Sequence, residues 1–463
     1  MLTKLRIKNF KAWKDTTEVR LAPLTVLFGA NSAGKSSLGH LLLALKQTAA
    51  SADRRRAFHT GDSNSLIDLG TFIETLHRRD KKAKLECALE WTTSLAFSNP
   101  LEESQHFRGD TMRFTSTIAA GRNLQPEVRS LKYELYAENQ SILSASLSVG
   151  TSAESTGEPS IEVYPYKLVR ALGRKWPLEP PEKFYRISDR SLARYQNADF
   201  LAGFALELER MLGSLSYLGP LRDHPRRTYG WAGDTPETVG PKGEYAIACI
   251  LAAQAQGRKL NRGYRKRQQP FAQFIAAWLV TLGVIDSFSV DLTAEGRRDY
   301  EVKVTARGGS TPVALPDVGF GVSQVLPALV QAFYCPANSI VWMEQPEIHL
   351  HPSVQAELAD AFICATQSYE DGRARDVQLI IETHSEHFLN RLQRRVAEKV
   401  ISHKDVAIYI ARSSSNGADL EELRVNELGD IVNWPDNFFG DEMTDIVARM
   451  EAAASRQTRE AGQ

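Results

Sequence analysis

Gly29-Ala30-Asn31-Ser32-Ala33-Gly34-Lys35-Ser36 stands directly after the apolar run Leu24–Phe28, and no other feature constrains the fold as strongly. The spacing predicts a strand over Thr25–Phe28, a tight turn, and a helix over Ser37–Gln47. Glycines at both ends of the turn let backbone N–H groups curl round a phosphate, and the positive end of the helix points at the same place. In that geometry Gly29, Asn31, Ser32, Ala33 and Gly34 form the cradle, and Ser37 opens the helix. Lys35 reaches the β- and γ-phosphates and the Ser36 hydroxyl ligates Mg²⁺. The ligands implied are ATP and Mg²⁺.

At 463 residues the chain has length for two or three domains and for a large core. Lys+Arg and Asp+Glu stand at 56 each, so no overall charge steers the chain to DNA or membrane, and any such binding has to be local. Met1-Leu2-Thr3-Lys4-Leu5-Arg6 alternates charged and apolar residues like a strand, not like a signal peptide. No apolar stretch approaches the roughly 20 residues that span a bilayer. Cys87, Cys249, Cys335 and Cys364 are scattered with no CxxC, as suits reduced thiols. A cytoplasmic protein without membrane contact is expected.

Leu5–Phe10 and Lys84–Trp91 read as strands, and Met112–Ile118, Ser130–Tyr136 and Ser141–Val149 as antiparallel hairpins. Residues 150–159 read as a loop. Ala198–Leu212 is an amphipathic helix, whereas the Gly-, Pro- and Arg-rich segment from Tyr217 to Glu244 fits no single regular element. Helices follow at Tyr245–Gln256 and Pro270–Leu282, and strands at Ser287–Leu292 and Tyr300–Ala306. From Leu315 the pattern alternates: helix Val322–Tyr334, strand Ser339–Met343, helix Pro352–Ser368, strand Val377–Glu382, helix Glu386–Val400, strand Asp405–Ala411. Such alternation predicts a parallel sheet with helices on its faces. A last helix is expected at Asp441–Ala454.

A phosphate loop needs a metal-supporting acid at the end of a neighbouring strand. Ile340-Val341-Trp342-Met343 ends in Glu344, and an ionisable residue closing such a run is costly without a partner. Gln345-Pro346-Glu347-Ile348-His349-Leu350-His351-Pro352 follows. Leu379-Ile380-Ile381-Glu382-Thr383-His384-Ser385 sets His384 just past another apolar strand, within reach of a γ-phosphate. Gly319-Phe320-Gly321-Val322-Ser323-Gln324 opens a helix and offers Gly321, Ser323 and Gln324 as a second phosphate-facing N-terminus.

This ordered set resembles the ATP-binding-cassette (ABC) class of ATPases found in the RecF, SMC and OLD (overcoming lysogenization defect) proteins, and Pro346–Pro352 is especially similar to the OLD-like branch. Ile67–Phe72, Tyr217–Arg222, Val239–Glu244, Asp317–Gln324, Glu382–Arg395 and the tail Asn433–Phe439 look like blocks of a bacterial OLD-like ATPase family with a C-terminal domain of unknown function. The resemblance implies an α/β fold, an ABC-type P-loop ATPase head split into two lobes. The lobes would be 1–91, with the phosphate loop, and 310–412, with signature, Walker B residue and switch histidine; 92–309 would be a β-rich and helical insertion, and 413–463 a tail domain. Glu344 then takes the Walker B metal role and His384 is the switch histidine. In the class the signature contacts nucleotide bound to the other subunit, which implies a homodimer or higher homo-oligomer around two ATP molecules.

This sequence departs from the class at two positions. Gln345 stands where an acid usually polarises the attacking water, and an amide cannot accept its proton; general-base help is worth roughly 10²–10⁴-fold. Slow hydrolysis is therefore expected, with Glu347 or Glu344 as substitute bases. Gly319 replaces the usual signature serine, and Ser323 is a candidate to take over its contact.

Many OLD proteins carry a TOPRIM nuclease domain, but no Glu plus Asp-x-Asp arrangement is recognisable in this tail. A sensor or switch in anti-phage defence with a separate nuclease or toxin effector is the leading expectation. An ATP-gated DNA clamp in repair and an unrecognised nuclease are the alternatives. Arg258–Arg267, with six basic residues and Tyr264, suits either a DNA backbone or a solvated loop. Arg222, Arg226 and Arg227 suit phosphate or interface contact, or ion pairing. Phe10 and Trp13 suit an adenine wall or a core.

Overall fold

The computed structural model describes residues 1–150, 158–263 and 265–434. At its centre lies a six-stranded sheet ordered Leu215–Leu218, Ile340–Glu344, Gln378–Glu382, Leu24–Gly29, Val406–Ser414, Gly417–Leu423. The first five strands run parallel and the last returns antiparallel. The near-continuous apolar runs of the inner parallel strands follow from burial on both faces. Side chains alternate between those faces. Val26, Phe28, Val341, Met343, Leu379 and Ile381 enter one core, and Leu27, Ile340, Trp342, Ile380 and Tyr409 the other.

The first core is closed by helices Ala246–Ala255, Phe271–Thr281, Phe320–Tyr334, Pro352–Thr366 and Glu386–Ala397. The second is closed by the phosphate-loop helix Lys35–Ala50, by Asp199–Gly213 and by an eight-stranded antiparallel sheet. That sheet runs Pro159–Tyr164, Gln140–Val149, Pro126–Ala137, Thr111–Ala120, Lys84–Thr92, Leu2–Phe10, Trp13–Asp15, with Val19–Arg20 also on Leu2–Phe10.

These pairings depart from the expected domain limits. Lys84–Thr92 pairs with Thr111–Ala120 along its whole length, so the sheet runs straight through the limit after residue 91. Leu215–Leu218 joins the parallel sheet, and the helices within 246–281 pack into its core, so parts of 92–309 are built into the first core. The hairpin of Val406–Ser414 with Gly417–Leu423 likewise crosses the limit after residue 412. Part of the expected loop 150–159 and the expected helix Asp441–Ala454 lie outside the described residues. Among the described residues no helix is long and apolar enough to cross a membrane.

Candidate nucleotide site

Parallel strands deliver their C-terminal ends to one edge, where open α/β sheets bind ligands. Register places Glu344 beside Glu382, and Glu382 beside Leu27 just before the phosphate loop. Gly29 (φ +137°) lies against Ala411, where a Cβ would collide with the carbonyl oxygen, and Gly34 (φ +95°) caps the helix in a left-handed conformation. Asn31 and Ser32 are exposed, Ala33 is buried, and Ser37 N–H donates to the Gly34 carbonyl at 3.0 Å. Trp13 Nε1 donates to that same carbonyl at 3.0 Å. Trp13 and Phe10 are fully buried; Trp13 props the loop from inside the core, and neither offers a face to adenine.

Lys35 Nζ donates to the Gly29 and Ala30 carbonyls at 2.9 Å each and lies 3.8 Å from Glu382 Oε1. Ser36 Oγ donates to the Glu382 carboxylate at 2.8 and 3.1 Å. Glu382 is thus the acid bonded to the phosphate-loop serine, a role the sequence analysis gave to Glu344 alone. The signal was available: Leu379-Ile380-Ile381 closes on an acid just as Ile340–Met343 does.

Glu344 Oε1 accepts the Tyr217 hydroxyl at 3.0 Å and lies 3.7 Å from His40 Nε2. Burial, and then the charge of Glu382, push the Glu344 carboxyl up to about 7; burial raises Glu382 as well. Burial also takes His40 down to about 4, which keeps it neutral. Two buried carboxylates, both with raised pKa, beside a serine hydroxyl form a hard oxygen set that fits Mg²⁺, with Ser36, Glu344 and Glu382 as the holding residues. When bound, the ion would supply charge neutralisation for phosphate oxygens.

Gln345 holds a left-handed backbone (φ 45°), and its N–H donates to the Glu382 carbonyl at 2.7 Å. Glu347 is buried, and its Oε1 accepts the His384 backbone N–H at 2.8 Å. Glu347 therefore braces the loop that carries His384. The His384 imidazole is exposed at this edge, its pKa lowered by partial burial and by the charge of Lys35.

Ser323 and Gln324 are buried within the chain's own fold, and Gly319 and Gly321 form the more open part of the signature turn. Those two side chains, expected to face a second head, do not reach the surface. Of the arginines, Arg227 forms a bidentate pair with Asp317 (2.9 and 2.8 Å) and Arg226 pairs with Asp223 at 3.1 Å. Arg258 is tied to Glu370 at 2.7 and 2.9 Å and to the Tyr334 carbonyl at 2.8 Å, which removes it from any DNA-facing set. Arg262 lies over Trp278, 4.1 Å from its ring centre, and Arg265, Lys266 and Arg267 are exposed.

The phosphate loop, the paired acids and the histidine at one edge of a parallel sheet, with an antiparallel sheet behind, define an ABC-type P-loop ATPase head assembled from N- and C-terminal parts of the chain. The chain belongs to the family described as "AAA domain, putative AbiEii toxin, Type IV TA system", whose model matches residues 97–390. Residues 1–149 match "AAA ATPase domain", and residues 401–448 match "Protein of unknown function (DUF3696)". No curated protein matches.

Among solved structures the chain is similar to an SMC head bound to the C-winged helix domain of ScpA, at 11% identity over 92% of this chain and 98% of that one, with a TM-score of 0.42. The SMC head domain from Thermotoga maritima gives 10%, 91%, 98% and 0.37. The Pyrococcus furiosus head with an extended coiled coil, bound to the C-terminal domain of ScpA, gives 9%, 97%, 99% and 0.38.

Proposed function

We propose that this chain binds ATP with Mg²⁺, hydrolyses it slowly, and uses the cycle as a switch between an open head and an ATP-joined homodimer. The observation that carries this reading is the convergence of Lys35, Ser36, Glu344, Glu382 and His384 at one sheet edge. Lys35 and the loop N–H groups bind and orient the phosphates. Ser36 with the two acids holds the metal, and exposed His384 contacts the γ-phosphate. Gln345 orients the attacking water but cannot take its proton, which is the reason for slow turnover.

Because Ser323 and Gln324 are buried, a second head would meet the Gly319–Gly321 backbone. The family description names a toxin of a type IV toxin–antitoxin system. With the OLD-like motifs, that supports a role in bacterial defence, with a separate effector protein responding to the switch. Phosphate release by wild type, Lys35→Ala and Gln345→Glu tests the enzymatic part. Loss in Lys35→Ala and a rise in Gln345→Glu are expected; turnover surviving in Lys35→Ala would rule this site out. Light scattering with and without ATP tests the dimer, and an unchanged mass would refute it.

A further inference from the structure

Arg222 is unlike the other arginines of its segment. It is only 9% exposed, yet among the described residues Nε and Nη1 have no acceptor, and only Nη2 is bonded, to the Glu344 carbonyl at 3.2 Å. A buried guanidinium with two idle nitrogens is costly, and a ligand that accepts from them would offset that cost. Position identifies that ligand. Leu215–Leu218 runs parallel to Ile340–Glu344, with Leu218 beside Met343, so the turn that follows emerges at the phosphate-binding edge.

Two backbone bonds hold that turn, Gly219 N–H to the Pro241 carbonyl and Asp223 N–H to the Lys242 carbonyl, both at 2.8 Å. From Arg222 the chain of contacts passes through Glu344 to Glu382, Ser36 and Lys35. The buried Glu347 carboxylate stands within electrostatic reach of Arg222.

We propose that Arg222 is a cation supplied by the chain itself to the terminal phosphoryl group of the nucleotide. This rests on the ATPase reading above and extends it. A guanidinium fork matches phosphate oxygens, and in a site closed to water it stabilises the charge that develops on them during hydrolysis. It removes no proton, so it does not replace the missing acid at Gln345; it accounts for residual turnover without one. A single head would then distinguish ATP from ADP before any partner arrives.

The test is fluorescence titration of ATP and ADP with Mg²⁺, together with phosphate release, on wild type, Arg222→Ala and Arg222→Gln. The glutamine keeps a donor for the Glu344 carbonyl while removing the charge, and it carries the test should the alanine variant unfold. The expected result is that ATP affinity falls to the level of ADP, ADP affinity is unchanged, and turnover drops about a hundredfold or more. Equal weakening of both nucleotides would mean a structural role and overturn the proposal, as would unchanged selectivity and turnover. Wild-type protein that binds neither nucleotide would overturn the ATPase reading and this proposal together; intact binding with unchanged selectivity would sink only Arg222.

Discussion

At the scale of single residues, the two acids of the site are not equivalent. Glu382 accepts from Ser36 and lies near Lys35, whereas Glu344 is held by Tyr217. Replacing Glu382 by Gln should therefore raise the Mg²⁺ concentration needed for ATP binding, by about tenfold if one charge-assisted contact is lost. A magnesium titration monitored by nucleotide fluorescence reads this directly; an unchanged midpoint would return the metal role to Glu344 alone.

The raised Glu344 carboxyl predicts a pH effect of definite sign in metal-free protein. Its ordinary value is 4.5 and its folded value about 7. Between these limits the folded chain holds more protons than the unfolded one, so stability falls as pH rises through that window. Melting in EDTA at about pH 5 and about pH 7.5 should show the drop, and Glu344→Gln should flatten it.

Most site residues were legible at this scale because phosphate chemistry fixes their order along the chain. Glu382 is less legible because its run continues directly into the Thr383-His384 motif, although an acid closing an apolar strand is the same signal at Glu344 and Glu382. Arg222 could not be placed, because nothing in a Gly- and Pro-rich segment says at which sheet edge it emerges.

At the scale of elements, the strands and helices that alternate from Leu315 onward were readable, since each carries an unbroken apolar run or a helical stripe. The strands missed have weaker patterns. Leu215–Leu218 is short and merges into an irregular segment, and Gly417–Leu423 mixes charged residues with few apolar ones because it closes one edge of the sheet. A close contact between the phosphate-loop helix and the sheet was also invisible in the sequence. Gly39, on the first helix, lies flat against the buried Trp342 indole of the acid-bearing strand, and a Cβ there would collide with the ring. Gly39→Ala should cost about 1–3 kcal/mol through overpacking, despite alanine's better helix propensity. Thermal melting checks it. A more stable variant would show that helix propensity outweighs the contact.

At the scale of the whole molecule, one sheet has a core on each face, and both cores draw on distant parts of the sequence. Phe28 and Met343 share one with Leu251 and Phe333; Leu27 and Trp342 share the other with Leu42 and Phe204. The resemblance to a split head implied two lobes with 92–309 as an insertion between them, and the hairpin texture from about Thr111 agrees with that reading. Texture reports local structure only. It could not tell that Thr111–Ala120 hydrogen-bonds to Lys84–Thr92, or that Met112, Phe114, Leu131 and Leu147 pack in the same core as Leu5 and Leu41.

This difference can be measured. If 92–309 were an independent arm, that segment alone would fold and melt cooperatively. In this fold it would lose the strand partner of Thr111–Ala120, leave an open edge, and expose the apolar faces of Ala246–Ala255 and Phe271–Thr281 that meet Phe320–Tyr334 in the first core. Residues 92–309 expressed alone should therefore give no cooperative transition by circular dichroism and should associate or degrade, while the full chain melts in one step. A sharp melt of the isolated segment would instead show that its strands and helices can close a core of their own, with the pairings at residue 92 being a docking contact.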